Sequence, residues 1–185
     1  MLLHRNNIFK IITNHIQKHL NIVNQPCIYM EKAVFGAGCF WHVQETFNKI
    51  NGVMSTSVGY SGGNATDPNY EQVCAGKTGH TEVVEINFNP KIVSYRELLE
   101  IFWDCHDPTT LNRQGPDIGS QYRSVIYYFN EEQEKLAKDS QKILEKTGKL
   151  SDSIVTEIKH IKNYYIAEEY HQNYFDRKNF LTDLI

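Results

Sequence analysis

Hydrophobic and polar positions form an orderly pattern from residue 32 onward. A short apolar run, KAVFGAG at 32–38, predicts a buried strand that ends in a glycine turn. A helix is predicted next, because four apolar residues recur at helical spacing before Asn51-Gly52 ends the pattern. These residues are Phe40, Val43, Phe47 and Ile50. The predicted domain therefore begins with a strand followed by a helix.

Two more strands surround a long polar loop. STSVGY at 55–60 predicts the first strand, and a loop rich in glycine, asparagine and proline occupies 61–80. Alternating apolar residues then predict a strand that stops at Pro90. These residues are Val84, Ile86 and Phe88. A loop of this length inside a compact domain is usually functional.

The remaining pattern completes an α+β arrangement. Ser94 and Glu97 form a capping box for a helix, and the segments 122–129, 131–146 and 153–161 predict a strand, a helix and a strand. The order from residue 33 is strand, helix, strand, strand, helix, strand, and then a helix and a strand. This order is typical of a ferredoxin-like α/β plait, or split βαβ, here with extra C-terminal elements and long active-site loops.

Composition indicates one domain without a charged binding surface. The chain of 185 residues has a formal net charge of -3 with mixed signs, which favours neither nucleic acid nor a membrane as partner. We expect a monomer with a single catalytic domain at 31–185. We expect residues 1–30 to be an extension, either disordered or targeting, because 1–29 carry basic residues and helically spaced apolar ones, and Met30 could equally be the true start. The location is then cytoplasmic, or mitochondrial or in another organelle if 1–29 are a transit peptide.

The chemistry of the chain depends on its cysteines. The four cysteines form no CxxC pair, which argues against a zinc knuckle and favours free thiols in a reducing compartment. Cys39 lies between the first strand and the first helix, where free backbone N–H groups and the helix dipole are expected to lower its pKa. A reactive thiol and a small packed side chain are both open interpretations of this position.

Several other side chains could serve that thiol. Trp41 lies off the inward stripe of its helix and could wall an apolar pocket beside Cys39, whereas Phe40 belongs to the stripe. Glu82 has the side-chain parity of three core residues, so it either faces inward with a raised pKa or points to water at the strand end. Three polar candidates lie in the long loops: Tyr70, Asp117 and Tyr122.

Five motifs, in order, resemble the A-type peptide methionine sulfoxide reductase family. They are GAGCFW, VGYSGG, NYEQVCAGKTGHTEVV, FWDCHDPTTLNRQGPDIGSQYRSVIYY and NYYIAEEYHQNYF, and they cover roughly residues 33–175. The resemblance implies an enzyme that reduces the S epimer of methionine sulfoxide, free or in proteins, and so repairs oxidative damage. It implies no metal and no cofactor.

The resemblance also implies the roles of the site residues. Cys39 would attack the sulfoxide sulfur and become a sulfenic acid, and Phe40 with Trp41 would hold the substrate methyl group. Glu82 would be the protonated acid, Tyr70 and Tyr122 would donate to the sulfoxide oxygen, and Asp117 would position a water or the substrate. A neutral carboxyl and phenolic donors suit this step, because the departing oxygen needs its charge neutralised.

The sequence departs from the family in its recycling thiols. Many members have resolving cysteines in a C-terminal tail, whereas this chain has no cysteine after Cys105. Our working hypothesis is a single-cysteine cycle, in which an external reductant of the thioredoxin, glutaredoxin, glutathione or other thiol type reduces the sulfenic acid on Cys39 directly. The alternative is that Cys74, Cys105 or Cys27 resolves the sulfenic acid first. The rival functions are a cysteine peroxidase, a binder of oxidised methionine without turnover, and a metal site. The metal site would use Cys74, His80, Cys105 and His106.

Overall fold

The structure is a computed structural model that describes residues 29–182. The predicted targeting segment and Cys27 therefore lie outside the described residues, apart from Tyr29 and Met30, which are exposed. None of the described helices is both long and apolar enough to cross a membrane.

Strands and helices follow the predicted order. The strands are β1 (Glu31–Ala37), β2 (Val53–Ser61), β3 (Thr81–Phe88), β4 (Arg113–Gln114), β5 (Asp117–Ile118), β6 (Ser124–Tyr128), β7 (Glu157–His160) and β8 (Tyr165–Ile166). The helices are α1 (Phe40–Asn48), α2 (Tyr70–Cys74), α3 (Tyr95–Asp104), α4 (Glu131–Lys146) and α5 (Tyr174–Thr182). Single turns of 3-10 helix occur at Ser120–Tyr122 and Glu169–His171.

The sheet confirms the predicted plait. Six strands lie in the order β7-β6-β1-β3-β2-β8, and the four central strands, β6, β1, β3 and β2, are antiparallel to one another where they pair. This central order, with α1 between β1 and β2 and α3 between β3 and β6, is that of a split βαβ fold. The additions are β7, which pairs parallel to β6, and β8, which pairs with the end of β2.

The core lies mainly between the sheet and the helices. Phe35 of β1 contacts Phe47 of α1 and Phe102 of α3, with ring centroids 5.6 and 5.1 Å apart. All three rings are fully buried. The opposite face of the sheet has a smaller cluster around Val34, Val83, Val125 and Tyr127. The packing fixes the end of β1, from which the chain enters α1.

Both predicted loops contain short regular elements. The 61–80 loop includes α2, which begins with a capping box between Asn69 and Gln72, and the later polar loop includes the β4–β5 pair. The aromatic C-terminal segment, for which no period was predicted, forms β8, a 3-10 turn and part of α5. These elements are short, so their local signals are weaker than the surrounding glycine and proline signals.

Candidate active site

Cys39 occupies the junction between β1 and α1. Gly38 precedes it with a φ of +94°, a left-handed conformation that glycine adopts without strain. A Cβ at Gly38 would lie 2.6 Å from the side chain of Gln114, so the position also lacks room. Cys39 then forms the N-cap of α1. The position of Cys39, the candidate nucleophile, is therefore fixed by a turn that requires glycine at residue 38.

The pKa of Cys39 differs from the sequence prediction. Burial raises the pKa of this thiol to about 11, although the backbone N–H groups of Trp41 and His42 act to lower it. The nearby carboxyls of Glu82 and Asp117 raise it further. The predicted lowering was wrong because desolvation, with smaller contributions from the two neighbouring carboxyls, outweighs the helix terminus. Cys39 keeps its proton at neutral pH in the free site.

Glu82 faces inward, which is one of the two orientations that the sequence left open. It is 1% exposed, and its Oε2 accepts a 3.1 Å hydrogen bond from the backbone N–H of Phe40. Its Oε1 is buried and has no hydrogen-bond partner within residues 29–182. Burial raises the pKa of Glu82 to about 8, the Phe40 N–H lowers it, and the charge of Asp117 raises it. The raised pKa is confirmed, and the water-facing alternative is wrong.

The three polar candidates from the loops converge on Glu82. Burial raises the pKa of Tyr122 to about 12, with further increases from Glu82, Cys74 and Asp117. Burial also raises the pKa of Tyr70, with smaller contributions that include Glu82 and Tyr122. Both phenols therefore keep their protons as potential donors. The site thus brings together the five predicted polar residues: Cys39, Tyr70, Glu82, Asp117 and Tyr122.

Tyr70 is positioned by a carboxyl that sequence reasoning missed. It opens α2, and its backbone N–H donates to Glu168 Oε1 at 2.8 Å. The other oxygen of Glu168 accepts from the Tyr60 hydroxyl at 2.9 Å. Glu168 therefore links α2 to β2. It lies in the segment AEEYHQ, where two adjacent glutamates gave no signal that one would turn inward.

His171 is a second residue that sequence reasoning missed. It is 2% exposed, and its Nδ1 accepts a 3.1 Å hydrogen bond from Trp41 Nε1. The imidazole also contacts the rings of Phe40 and Tyr70, at centroid distances of 5.1 and 4.4 Å. Burial lowers the pKa of His171, which keeps Nδ1 available as an acceptor. A histidine inside an aromatic segment without a clear period could not be assigned this contact.

The two predicted methyl-pocket residues differ in accessibility. Phe40 is 1% exposed and packs 6.0 Å from Tyr60, so it belongs to the core as its stripe predicted. Trp41 is partly exposed and stacks on Tyr174 at 4.0 Å with an interplanar angle of 9°. Trp41 therefore offers the accessible aromatic surface of the pair, held by Tyr174 and His171.

A pocket of about 440 Å³ opens beside Cys39. Its lining combines the start of α1, the end of α3 and the β4–β5 turn. The lining residues are Ala37, Cys39, His42, Val43, Thr46, Cys105, Gln114, Gly115, Pro116 and Asp117. A different pocket of about 570 Å³, near the N-terminal ends of α3 and α4, contains none of the candidate residues.

The histidines of the rival metal site already have protein partners. His80 contacts the Gly63 N–H and the Ala65 carbonyl at 3.1 and 2.8 Å. His106 contacts the Phe102 carbonyl and the Ser124 hydroxyl at 2.7 and 2.6 Å. Within the described part of the chain, no group of three or more histidine, cysteine, aspartate or glutamate residues could hold a metal ion.

Comparisons with known proteins agree on one family. The family described as "Peptide methionine sulfoxide reductase" matches residues 31–182. A peptide methionine sulfoxide reductase MsrA of Methanosarcina acetivorans is 52% identical over 169 residues, which are 91% of this chain and 90% of the relative. One of Methanothermobacter thermautotrophicus is 56% identical over 147 residues, which are 80% and 87%.

Two solved structures bear on the fold and on a partner. The reduced form of Mxr1 from Saccharomyces cerevisiae has a TM-score of 0.75 and 36% identity, covering 83% of this chain and 88% of that chain. Mxr1 in complex with Trx2 has a TM-score of 0.55 and 26% identity, covering 80% and 87%.

Proposed function

The chain belongs to the peptide methionine sulfoxide reductase family, and we propose that Cys39 carries out the reduction of methionine sulfoxide in this member. The substrate is the S epimer, free or within a polypeptide. The observation that carries the proposal is the free oxygen of Glu82. This buried carboxyl is protonated below about pH 8, and its other oxygen is bonded to the residue that follows Cys39.

The reaction transfers one oxygen atom from substrate to enzyme. Cys39 sulfur attacks the sulfoxide sulfur and forms a transient S–S bond, while Glu82 gives its proton to the sulfoxide oxygen. The oxygen then passes to Cys39 sulfur as the substrate S–O bond and the S–S bond break, so methionine departs reduced and Cys39 becomes a sulfenic acid. The thiol proton of Cys39 restores the proton that Glu82 gave. Atoms and charge balance without a metal or a prosthetic group.

The surrounding donors and rings fit the two ends of the sulfoxide group. The phenols of Tyr70 and Tyr122 retain their protons and can donate to the oxygen as negative charge develops. Asp117, which lines the pocket beside Cys39, orients a water or the polar end of the substrate. Trp41 provides the aromatic wall for the methyl group, with Phe40 behind it.

Turnover needs an external thiol to return the oxidised enzyme to its starting state. The family uses no prosthetic cofactor, so the electrons come from outside the chain. We favour a dithiol reductant of the thioredoxin type, supported by the related protein Mxr1, whose structure in complex with Trx2 is known. Glutaredoxin or glutathione would reduce the same sulfenic acid by the same chemistry.

The decisive assay measures methionine released from separated R and S sulfoxides with dithiothreitol as reductant. The parent should convert the S epimer and leave the R epimer, and Cys39→Ser should release no methionine. Circular dichroism of Cys39→Ser checks that the variant folds. Release of methionine by folded Cys39→Ser at the parental rate would contradict the proposal.

The same preparation separates the rival functions. A cysteine peroxidase would consume hydroperoxide through Cys39 and would not distinguish the sulfoxide epimers. A binder without turnover would retain the S sulfoxide and release no methionine even with excess reductant. Either result would replace the reductase assignment for this chain.

A further inference from the structure

We propose that Cys105 resolves the sulfenic acid on Cys39 by forming a disulfide with it inside the chain. This inference rests on the proposed function, because it concerns the second half of the same catalytic cycle. The two cysteines line one pocket of about 440 Å³, and Asp117 lines it with them. Cys74 is absent from the lining residues of that pocket.

A chain of contacts holds Cys105 close to the end of β1. Cys105 forms the C-cap of α3, and its Sγ donates to the Phe102 carbonyl at 3.3 Å. The next residue, His106, is bonded to the Ser124 hydroxyl at 2.6 Å. Ser124 is the register partner of Ala37 in the β1–β6 pair, and Cys39 follows Ala37 by two positions along the chain. Both thiols therefore lie near the C-terminal end of β1.

Both cysteines stand where regular structure ends. Cys39 precedes the first turn of α1, and Cys105 follows the last turn of α3. A disulfide needs the two Cα atoms within about 4.4–6.8 Å of each other. Capping positions can adjust more easily than helix interiors, because fewer ladder hydrogen bonds hold them. The open pocket between the two side chains leaves space for their approach.

The chemistry balances without another oxidant. Cys105 sulfur attacks the sulfur of Cys39–SOH, an S–S bond forms and the S–O bond breaks. The thiol proton of Cys105 leaves with the hydroxyl group as water, and the Asp117 carboxylate in the pocket can relay that proton. Cys105 sulfur is oxidised and Cys39 sulfur is reduced. An external dithiol then reduces the disulfide by exchange.

Cys105, like Cys39, is a neutral thiol at neutral pH. Burial raises the pKa of Cys105 to about 12, so its sulfur releases its proton in the step that forms the disulfide. It reacts when an electrophilic sulfenic acid has formed beside it. Cys74 is placed differently: it is exposed at the end of α2, the helix that Tyr70 begins.

The test is a single turnover without reductant, using the full chain and excess S methionine sulfoxide. The chain has four cysteines, and we expect two thiols to disappear for each methionine formed. Peptide mapping by mass spectrometry should find a Cys39–Cys105 disulfide. Methionine yield reports on the proposed function, whereas the disulfide reports on this inference, so the two can fail separately.

Variants identify the resolving residue. Cys105→Ser, with Cys105→Ala as a second replacement, should leave a sulfenic acid on Cys39 that dimedone labels. The control Cys74→Ser should form the same disulfide as the parent. A dimedone adduct on Cys39 of the parent, or a disulfide that joins Cys39 to Cys74 or Cys27, would overturn the proposal.

Discussion

The two groups that release a proton during the reaction, Cys39 and Glu82, are both protonated at neutral pH. The pKa of Cys39 is raised to about 11 and that of Glu82 to about 8, in each case mainly by burial. In the free enzyme Cys39 is therefore a neutral thiol, and Glu82 is a protonated acid that can donate to the substrate. Attack on a sulfoxide requires both protons to move, and this couples the two residues chemically.

Replacing Glu82 separates hydrogen-bond donation from the rest of its role. Glu82→Ala should lower the rate of methionine release by about 10²- to 10⁴-fold, the usual contribution of a positioned general acid. Glu82→Gln should retain clearly more activity, because an amide N–H can still donate to the oxygen. The measurement is the single-turnover rate with S methionine sulfoxide at pH 7.

A neighbouring glutamate provides the control for that experiment. Glu85 lies on the same strand with the opposite parity and pairs with Lys32 at 2.9 Å. Glu85→Gln should therefore leave the rate close to that of the parent. Equal rates for the Gln and Ala replacements of Glu82 would remove it from the acid role.

Among the elements, α2 shows how a short helix can hold a donor. Its capping box joins the Asn69 side chain to the Gln72 N–H at 2.9 Å and the Gln72 side chain to the Asn69 N–H at 3.1 Å. Tyr70 is the next residue after Asn69. With one and a half turns of helix, the cap is a large part of what fixes the position of that phenol.

Removing the cap should weaken catalysis without touching the reacting groups. Asn69→Ala is expected to cost about 1 kcal/mol of local stability, enough to lower the ratio of ordered to disordered α2 about fivefold. The rate of methionine release should fall in proportion to the fraction of molecules in which Tyr70 is no longer held in place by α2. Asn69→Ser keeps an acceptor oxygen and should stay near the parental rate. A parental rate for Asn69→Ala would mean that Glu168 alone holds Tyr70.

Long periodic elements were predictable from the sequence, and short ones were not. The apolar stripe of α1 gave the correct element because it repeats over successive turns, and the Ser94–Glu97 box marked the start of α3 because both residues belong to the cap itself. The parity of Glu82 allowed an inward or a water-facing side chain, and only the family resemblance favoured a protonated, inward-facing acid. Glu168 and His171 were missed because contacts between distant segments leave no local pattern.

The pKa of Cys39 shows the same limit more sharply. A helix N-terminus is visible in the sequence, and its lowering effect is present through Trp41 and His42. The opposing effects come from burial and from two carboxyls on other strands, which depend on how the sheet assembles. Sequence reasoning therefore identified the residue and assigned the wrong sign to its pKa shift.

For the molecule as a whole, the buried acid makes stability depend on pH. The pKa of Glu82 rises from an ordinary value of 4.5 to about 8 in the folded chain. Folding therefore favours the protonated form. The stability that this proton contributes is complete below about pH 4.5 and is lost as the pH rises through about 8.

Glu82→Gln should consequently gain stability relative to the parent as the pH rises. The gain between pH 5 and pH 8.5 should be on the order of a few kcal/mol, since one pKa unit corresponds to about 1.4 kcal/mol. Urea unfolding at the two pH values measures it. The control is Glu97→Gln, because the pKa of Glu97 is lowered by its bonds to Ser94 and the carboxyl stays ionised over this range. A parent-to-variant difference that is the same at both pH values would contradict the raised pKa.

The bond between Glu82 and the Phe40 N–H has a mechanical consequence. It links the central strand β3 to Phe40, the first residue of α1 and the neighbour of Cys39. When α1 shifts, the Glu82 carboxyl therefore moves together with the Cys39 sulfur. The distance between the Glu82 carboxyl and the Cys39 sulfur is thereby preserved while the outer residues of the site move. We therefore expect methionine sulfoxides in bulky or flexible substrate proteins to differ in binding affinity. The rate of oxygen transfer from the bound sulfoxide should differ much less.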